Sequence, residues 1–330
     1  MITVNHVSKK YGDFLAVDDL SFTIEDGHIY GFLGPNGAGK STTLNIMTGC
    51  LSATSGDVKI NGLDIYEDGK EAKKQLGYLP EIPPLYVDQT PREYLQFVAE
   101  AKGIKKADIG KEIEKVISET HIETMADRLI KHLSKGYRQR VGIAQALLGN
   151  PSVIILDEPT VGLDPMQIIE IRDLIVELGK THTVILSSHI LSEVQNICEK
   201  VLIIYKGKLV AFDKPENLSK ALSNGNTIEL TAEATKEEIE EIVGLVDGIS
   251  NIEFKEEANP LTGVVLHTDK EDLHQVCKSI FFAFADRQKA ILQMNPVKTT
   301  LEDIFIELTT QDNKEEKELT EVSDKEEETC

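Results

Sequence analysis

The clearest pattern along the chain is a set of short apolar runs without polar alternation, IYGFLG (29–34), VIILDE (153–158), TVILSS (183–188) and VLIIY (201–205). Such runs predict strands buried on both faces, as in a parallel sheet covered by helices. Between the first and second lies a charged, helix-patterned stretch from about Leu85 to Gly149. It reads as a helical insertion into an α/β domain.

The period changes near Thr227. Ile228 and Leu230 alternate with polar neighbours, as do Ile252 and Phe254, and Val264–Leu266 and Ile291–Met294 supply two further short strands. Two helical stripes separate these strands. Ile239, Ile242, Val243 and Val246 form one, and Leu273, Val276, Cys277, Ile280, Phe281 and Phe284 form the other. The order β-α-β-β-α-β is that of the ferredoxin-like split motif. It predicts a small α+β domain over 227–310 behind a larger domain over 1–220, with SNGN (223–226) marking the boundary. Thr300 and Asp303 have capping-box spacing, so a last helix is expected at 300–309 with Leu301, Ile304, Phe305 and Leu308 buried.

Composition narrows the class. With 330 residues, 41% hydrophobic and 28% charged, the chain suits a soluble globular protein with an ample core. No segment approaches the roughly 18 uninterrupted apolar residues of a membrane span, and the opening MITVNHVSKKYG lacks a secretory pattern. The net charge of −21 argues against a nucleic-acid binder that works by counterion release. Residues 311–330 carry nine acids against three lysines and almost nothing apolar, so a disordered acidic tail is expected there. Cys50, Cys198, Cys277 and Cys330 form no CxxC pair, which excludes a disulfide framework or a cysteine zinc site.

The strongest chemical signal is Gly34-Pro35-Asn36-Gly37-Ala38-Gly39-Lys40-Ser41, a GxxxxGK[ST] loop directly after a strand. Its glycines allow a tight turn in which successive backbone N–H groups face a polyphosphate, and the following helix adds the positive end of its dipole. Lys40 is expected to reach the β- and γ-phosphates, Ser41 to ligate Mg²⁺, and Thr42 to add a hydroxyl donor. A second signal is VIILDEPT (153–160), which delivers Asp157 and Glu158 at the carboxyl end of a strand, where parallel sheets bind ligands. Asp157 suits a water-mediated hold on Mg²⁺, and Glu158 suits a general base acting on the attacking water. His189 follows TVILSS, a strand expected to neighbour that of Asp157, and there it could bond the γ-phosphate and orient the water.

With these residues in place the chain resembles the ATP-binding cassette family over about residues 2–217. The family's signature, Leu-Ser-Gly-Gly-Gln, here reads Leu133-Ser134-Lys135-Gly136-Tyr137, and VGLDP with Asp164 matches the D-loop. Tyr11 matches the aromatic residue that stacks on adenine, and the Q-loop glutamine falls at Glu81 in GYLPEIPPLY. The resemblance implies an α/β P-loop ATPase that binds Mg·ATP and converts ATP and water to ADP and phosphate. It implies two cassettes closed head to tail over two ATP molecules, with Ser134 and Gly136 facing the nucleotide of the second subunit. A homodimer is the simplest such pair. The Glu81 carboxylate could still reach Mg²⁺ and the water, with altered coupling to the partner.

Lys135 and Tyr137, Glu81 and the distal TLEDIFIELT (300–309) look like the export branch of sodium-extrusion, multidrug and gliding-motility type. That branch implies a separate integral membrane permease subunit and a place on the cytoplasmic face of the membrane. The C-terminal accessory or regulatory domain could hold the two cassettes together, sense a ligand or dock the membrane subunit, a dimer contact being the simplest of these. The alternative, a soluble ATPase switch acting on ribosomes or DNA, finds no second phosphate loop and no heptads between Lys40 and Ser134. A degenerate, regulatory partner in a heterodimer is disfavoured by intact Glu158 and His189.

Overall fold

The computed structural model describes residues 1–222, 226–255, 261–270 and 272–297. The expected helix at 300–309, the tail at 311–330 and most of the SNGN segment lie outside the described residues. The chain divides into two compact units, Met1–Pro215 and a second beginning at Glu216.

In the first unit, β1 (Ile2–Tyr11) and β2 (Phe14–Ile24) form a long hairpin, and β3 (Ile29–Leu33) leads through the glycine-rich loop into α1 (Lys40–Met47). Next come β4 (Ser55–Ile60), β5 (Leu63–Asp64), α2 (Gly69–Lys74) and β6 (Leu76–Leu79). A helical stretch follows with α3 (Pro91–Ala101), α4 (Lys106–Glu119) and α5 (Lys135–Leu147). The chain then re-enters the sheet with β7 (Val153–Leu156), α6 (Pro165–Gly179), β8 (Thr183–Ser188), α7 (Leu191–Ile197), β9 (Lys200–Tyr205) and β10 (Lys208–Asp213).

Six strands form the central sheet in the order β10-β9-β3-β8-β7-β6. Every pairing in it is parallel except that of β10 with β9. The four apolar runs of the sequence are β3, β7, β8 and β9, and every residue of β3, β7 and β8 is buried. The strand of Asp157 and that of His189 are neighbours, as expected: β7 runs beside β8 with Leu156 opposite Leu186. Both acids, however, lie just beyond the strand, which ends at Leu156.

A second sheet, β2-β1-β4-β5, is antiparallel. The apolar runs do not foretell it, because none of its strands is apolar throughout and β1 shifts register against β2. One core joins the two sheets through α1: Leu44, Ile46 and Met47 pack among Val4 and Val7 of β1, Leu20 and Phe22 of β2, Phe32 of β3 and Ile155 of β7. The helix that follows the glycine-rich loop is therefore clamped from both sides, and the loop is held by a rigid base.

The helical stretch is built from local signals. Thr90 and Glu93 form a capping box with Pro91 in the first turn of α3. Ile109, Ile113, Val116 and Ile117 give α4 one apolar stripe. Lys102, at the end of α3, donates to the carbonyls of Gln145, Ala146 and Leu148 at 3.0, 3.2 and 2.8 Å, satisfying the last turn of α5.

Helix α8 (Pro215–Leu222) leads to the second unit, which contains β11 (Asn226–Ala232), α9 (Lys236–Val243), β12 (Ile249–Phe254), β13 (Thr262–Thr268), α10 (Leu273–Asp286) and β14 (Ile291–Val297). Its sheet runs β12-β13-β11-β14 and is antiparallel throughout. Ile228, Leu230, Val264 and Leu266 on one sheet face meet Ile239 and Ile242 of α9 and Ile280 and Phe284 of α10. Phe281, expected in the buried stripe of α10, is instead 53% exposed. It stands one residue past Ile280, about 100° around the helix from the buried row. Among the described residues no helix is long and apolar enough to cross a membrane, and Cys50, Cys198 and Cys277 are free thiols.

Candidate functional site

The carboxyl ends of β3, β7 and β8 bring three loops together. Beyond β3 the chain turns sharply at Gly37 (φ +82°) and Gly39 (φ +102°), both in the left-handed region. A Cβ on Gly39 would stand 2.6 Å from the Ala16 carbonyl oxygen, so only glycine fits there, whereas Gly37 faces open space. The turn is pinned by Ala38 N–H donating to Pro35 O at 3.2 Å and by Gly207 N–H donating to Ala38 O at 2.9 Å. Lys40 opens α1 and is buried, its ammonium folded back to donate to Gly34 O at 2.7 Å and Pro35 O at 3.3 Å.

Beyond β7, Asp157 is buried and is bonded by two hydroxyls. Ser187 of β8 donates to Asp157 Oδ1 at 2.6 Å, and Ser41 of α1 donates to the same oxygen at 3.4 Å. The Glu158 N–H donates to Ser187 Oγ at 2.8 Å. One serine thus fixes both acids, and sequence patterning did not single it out.

Glu158 itself has φ +48°, a left-handed backbone that a non-glycine residue adopts only when its surroundings enforce it. That conformation aims its carboxylate at two cationic or polar groups. Oε1 is 3.6 Å from Lys40 Nζ, and Oε2 is 2.9 Å from His189 Nδ1. The Glu158 side chain is 8% exposed, while that of His189 is 41% exposed. A carboxylate so placed at a cleft can accept a proton from water while the imidazole fixes its orientation.

These groups share one open cleft of about 460 Å³, lined by Tyr11, Asn36, Gly37, Gly39, Lys40, Ser41, Thr42, Glu81, Glu158 and His189. Asp157 is not among the lining residues and is bonded to one of them, Ser41. Tyr11 stands at the rim, half exposed, with Lys9 Nζ 5.3 Å from its ring centroid. Phe14, paired with Tyr11 across the hairpin and 65% exposed, lines the same rim. An exposed phenylalanine in a β-turn reads as ordinary hairpin surface, so the sequence offered no reason to select it.

Ser134, Gly136 and Asp164 line no part of this cleft. Ser134 caps α5, its Oγ accepting Tyr137 N–H at 3.3 Å, and Asp164 caps α6, its Oδ1 accepting Gln167 N–H at 2.9 Å. The two caps belong to one patch: a Cβ on Gly136 would meet Gln167 of α6 at 2.8 Å, and one on Gly162 would meet Lys135 Nζ at 2.3 Å. The signature and VGLDP loops therefore present two helix N-termini side by side.

The chain is similar to known proteins of one family. The family described as ABC transporter matches residues 17–161. YhcH of Bacillus subtilis (strain 168), an uncharacterised ABC transporter ATP-binding protein, is 35% identical over 323 residues, covering 96% of this chain and 98% of its own length. The bacitracin transport ATP-binding protein BcrA of Bacillus licheniformis is 42% identical over 212 residues, 64% of this chain and 68% of its own. A solved ATP-binding cassette, dimeric in a post-hydrolysis state bound to ADP and Pi, superposes with a TM-score of 0.59 at 26% identity, covering 65% of this chain and 98% of that one. The chain thus belongs to the ATP-binding proteins of the ABC transporters, as a cassette subunit that binds and hydrolyses ATP.

Proposed function

We propose that this subunit hydrolyses ATP in the cleft at the ends of β3, β7 and β8 to drive export through a separate membrane-spanning permease. The observation that carries the site is the convergence of Lys40, Ser41, Glu81, Glu158 and His189 on one cleft, with Asp157 bonded behind Ser41. In this reading the N–H groups of the Asn36–Thr42 turn and the Lys40 ammonium bind the β- and γ-phosphates, and Tyr11 stacks on the base. Glu158 accepts a proton from the attacking water, and His189 holds that carboxylate and the terminal phosphate in line.

The donors suit Mg²⁺. The Ser41 hydroxyl and the Asp157 carboxylate are hard oxygen ligands 3.4 Å apart, and Glu81 lines the same cleft. The other ligands of such an ion would come from phosphate and water. Bound by Ser41, with Asp157 and Glu81 behind, Mg²⁺ would neutralise charge on the phosphates.

Ser134, Gly136 and Asp164 serve the second nucleotide site: two copies of the chain close head to tail, and the paired helix N-termini of α5 and α6 meet the ATP held by the other copy. ATP drives closure because it contacts both copies only when they are closed. The protein is peripheral, held at the cytoplasmic face by its permease, and the surface that selects cargo belongs to that partner. The second unit, whose strand order is that of a ferredoxin-like fold, is a dimer contact.

The test is a pull-down from detergent-solubilised native membranes with tagged Glu158→Gln protein and Mg·ATP, read by mass spectrometry. Stoichiometric recovery of one polytopic membrane protein is expected. Recovery of soluble partners alone, ribosomes for example, would leave ATP chemistry and remove transport.

A further inference from the structure

The loop that carries Glu158 and the turn that carries His189 are tied together by a residue outside the cleft, Glu193 of α7. Its side chain is 4% exposed. Thr160 donates to Glu193 Oε2 at 2.5 Å, and the Ser188 hydroxyl shares its one proton between the same oxygen at 3.4 Å and Ile190 O at 3.3 Å. Arg172 of α6 approaches Glu193 Oε1 at 3.7 Å. Thr160 lies two residues past Glu158, and Ser188 immediately precedes His189. The Ser188 hydroxyl also accepts the Ile190 N–H at 3.0 Å, so the turn bearing His189 is fastened on both sides.

Burying a carboxylate is expensive unless its oxygens are bonded, and an apolar residue would pack this position at lower cost. What a carboxylate supplies and a hydrocarbon cannot is a fixed link between two loops. Those loops must keep one spacing, because Glu158 Oε2 and His189 Nδ1 meet at 2.9 Å and Glu158 holds a left-handed backbone. Among the described residues, Thr160, Ser188 and Arg172 are the Glu193 partners, and none belongs to the Gly34–Thr42 loop.

We propose that Glu193 is a positioning residue for hydrolysis: it sets the Glu158–His189 geometry through Thr160 and Ser188 and leaves nucleotide affinity to the phosphate loop. The inference rests on the reading of Glu158 and His189 given above.

The full-length chain, its Glu193→Ala, Glu193→Gln and Thr160→Val variants, and Glu158→Gln as control are compared for ATP turnover, KM, nucleotide affinity and Tm with Mg·ATP. A misplaced catalytic pair costs rate rather than binding, so Glu193→Ala is expected to lower kcat about tenfold or more with KM and affinity within about twofold. Glu193→Gln keeps an acceptor for Thr160 and is expected to recover kcat to within about threefold of the parent, while Thr160→Val loses about fivefold. If Glu193→Ala does not fold, the Thr160→Val and Glu193→Gln pair decides alone. A fall in Tm with kcat unchanged would make Glu193 structural only and overturn the proposal. Equal losses in kcat and affinity, or no recovery with glutamine, would overturn it too. Undiminished turnover in Glu158→Gln would sink the underlying site reading instead, whatever Glu193 does.

Discussion

The Lys40 ammonium lies 3.6 Å from Glu158 Oε1, with both side chains nearly buried. Lys40 compensates a buried carboxylate, and in the proposed function it binds phosphate as well. Removing one member of a buried pair strands the other, typically at several kcal/mol. Lys40→Ala is expected to abolish ATP binding and turnover and also to destabilise the fold by about 3 kcal/mol. Adding Glu158→Gln should restore most of that stability and none of the activity. Denaturant midpoints of the two variants, measured beside nucleotide affinity, separate the roles; near-normal turnover in Lys40→Ala would refute the phosphate-loop assignment.

Glu158→Gln keeps the shape of the side chain and removes its basicity. Turnover is expected to fall by about 10²–10⁴-fold, the usual contribution of a general base, with ATP still bound. Unable to hydrolyse, two copies should remain closed, so light scattering with Mg·ATP should report a dimer. A variant that stays monomeric with saturating ATP would contradict the head-to-tail reading.

Ser187 donates to Asp157 and accepts from the Glu158 backbone. Ser187→Ala leaves a buried N–H and a buried carboxylate oxygen short of a partner. The expected loss is about 2 kcal/mol of stability. Because Asp157 would also lose its fixed orientation, the Mg²⁺ concentration for half-maximal turnover should rise. Urea unfolding and a Mg²⁺ titration check the two effects, and an unchanged Mg²⁺ requirement would count against the role proposed for Asp157.

Burial pushes the Tyr94 phenol up to about 12, and its hydroxyl donates to Gln145 Oε1 at 2.7 Å. A raised folded pKa means that the folded state holds the proton more tightly than the unfolded chain. The stability this contributes is complete below the ordinary value of 10 and is lost as pH rises from there through about 12. Tyr94→Phe should therefore show a shallower loss of stability above pH ~10 than the parent. Phenolate absorbance gives the direct check: the Tyr94 contribution, taken as parent minus variant, should titrate well above the ordinary phenol value of 10.

The parts of the fold that announced themselves were the ones whose pattern is local. Runs buried on both faces marked β3, β7, β8 and β9, and helical stripes with a change of period marked α9 and α10 among four short strands. The antiparallel sheet escaped because β1 does not keep period two: its register with β2 shifts between Val4 and Val7, where His6 turns to φ +48°. A bulge there breaks the alternation that patterning needs. Within the cleft, Lys40, Ser41, Glu158 and His189 were legible because glycine spacing and strand ends constrain them locally. Ser187 and Glu193 were not, since a serine and a glutamate near a strand end look ordinary until residues about thirty positions away fold against them.

The left-handed backbone of Glu158 has an evolutionary consequence. At that φ a glycine would relax the backbone, but it would also strand the buried Lys40 ammonium, so strain and ion pairing pull in opposite directions at position 158. Heat-based directed evolution of this subunit would therefore gain from losing the glutamate only if position 40 changed with it. A library screened on phosphate release would retain the glutamate and accumulate its compensating gains elsewhere.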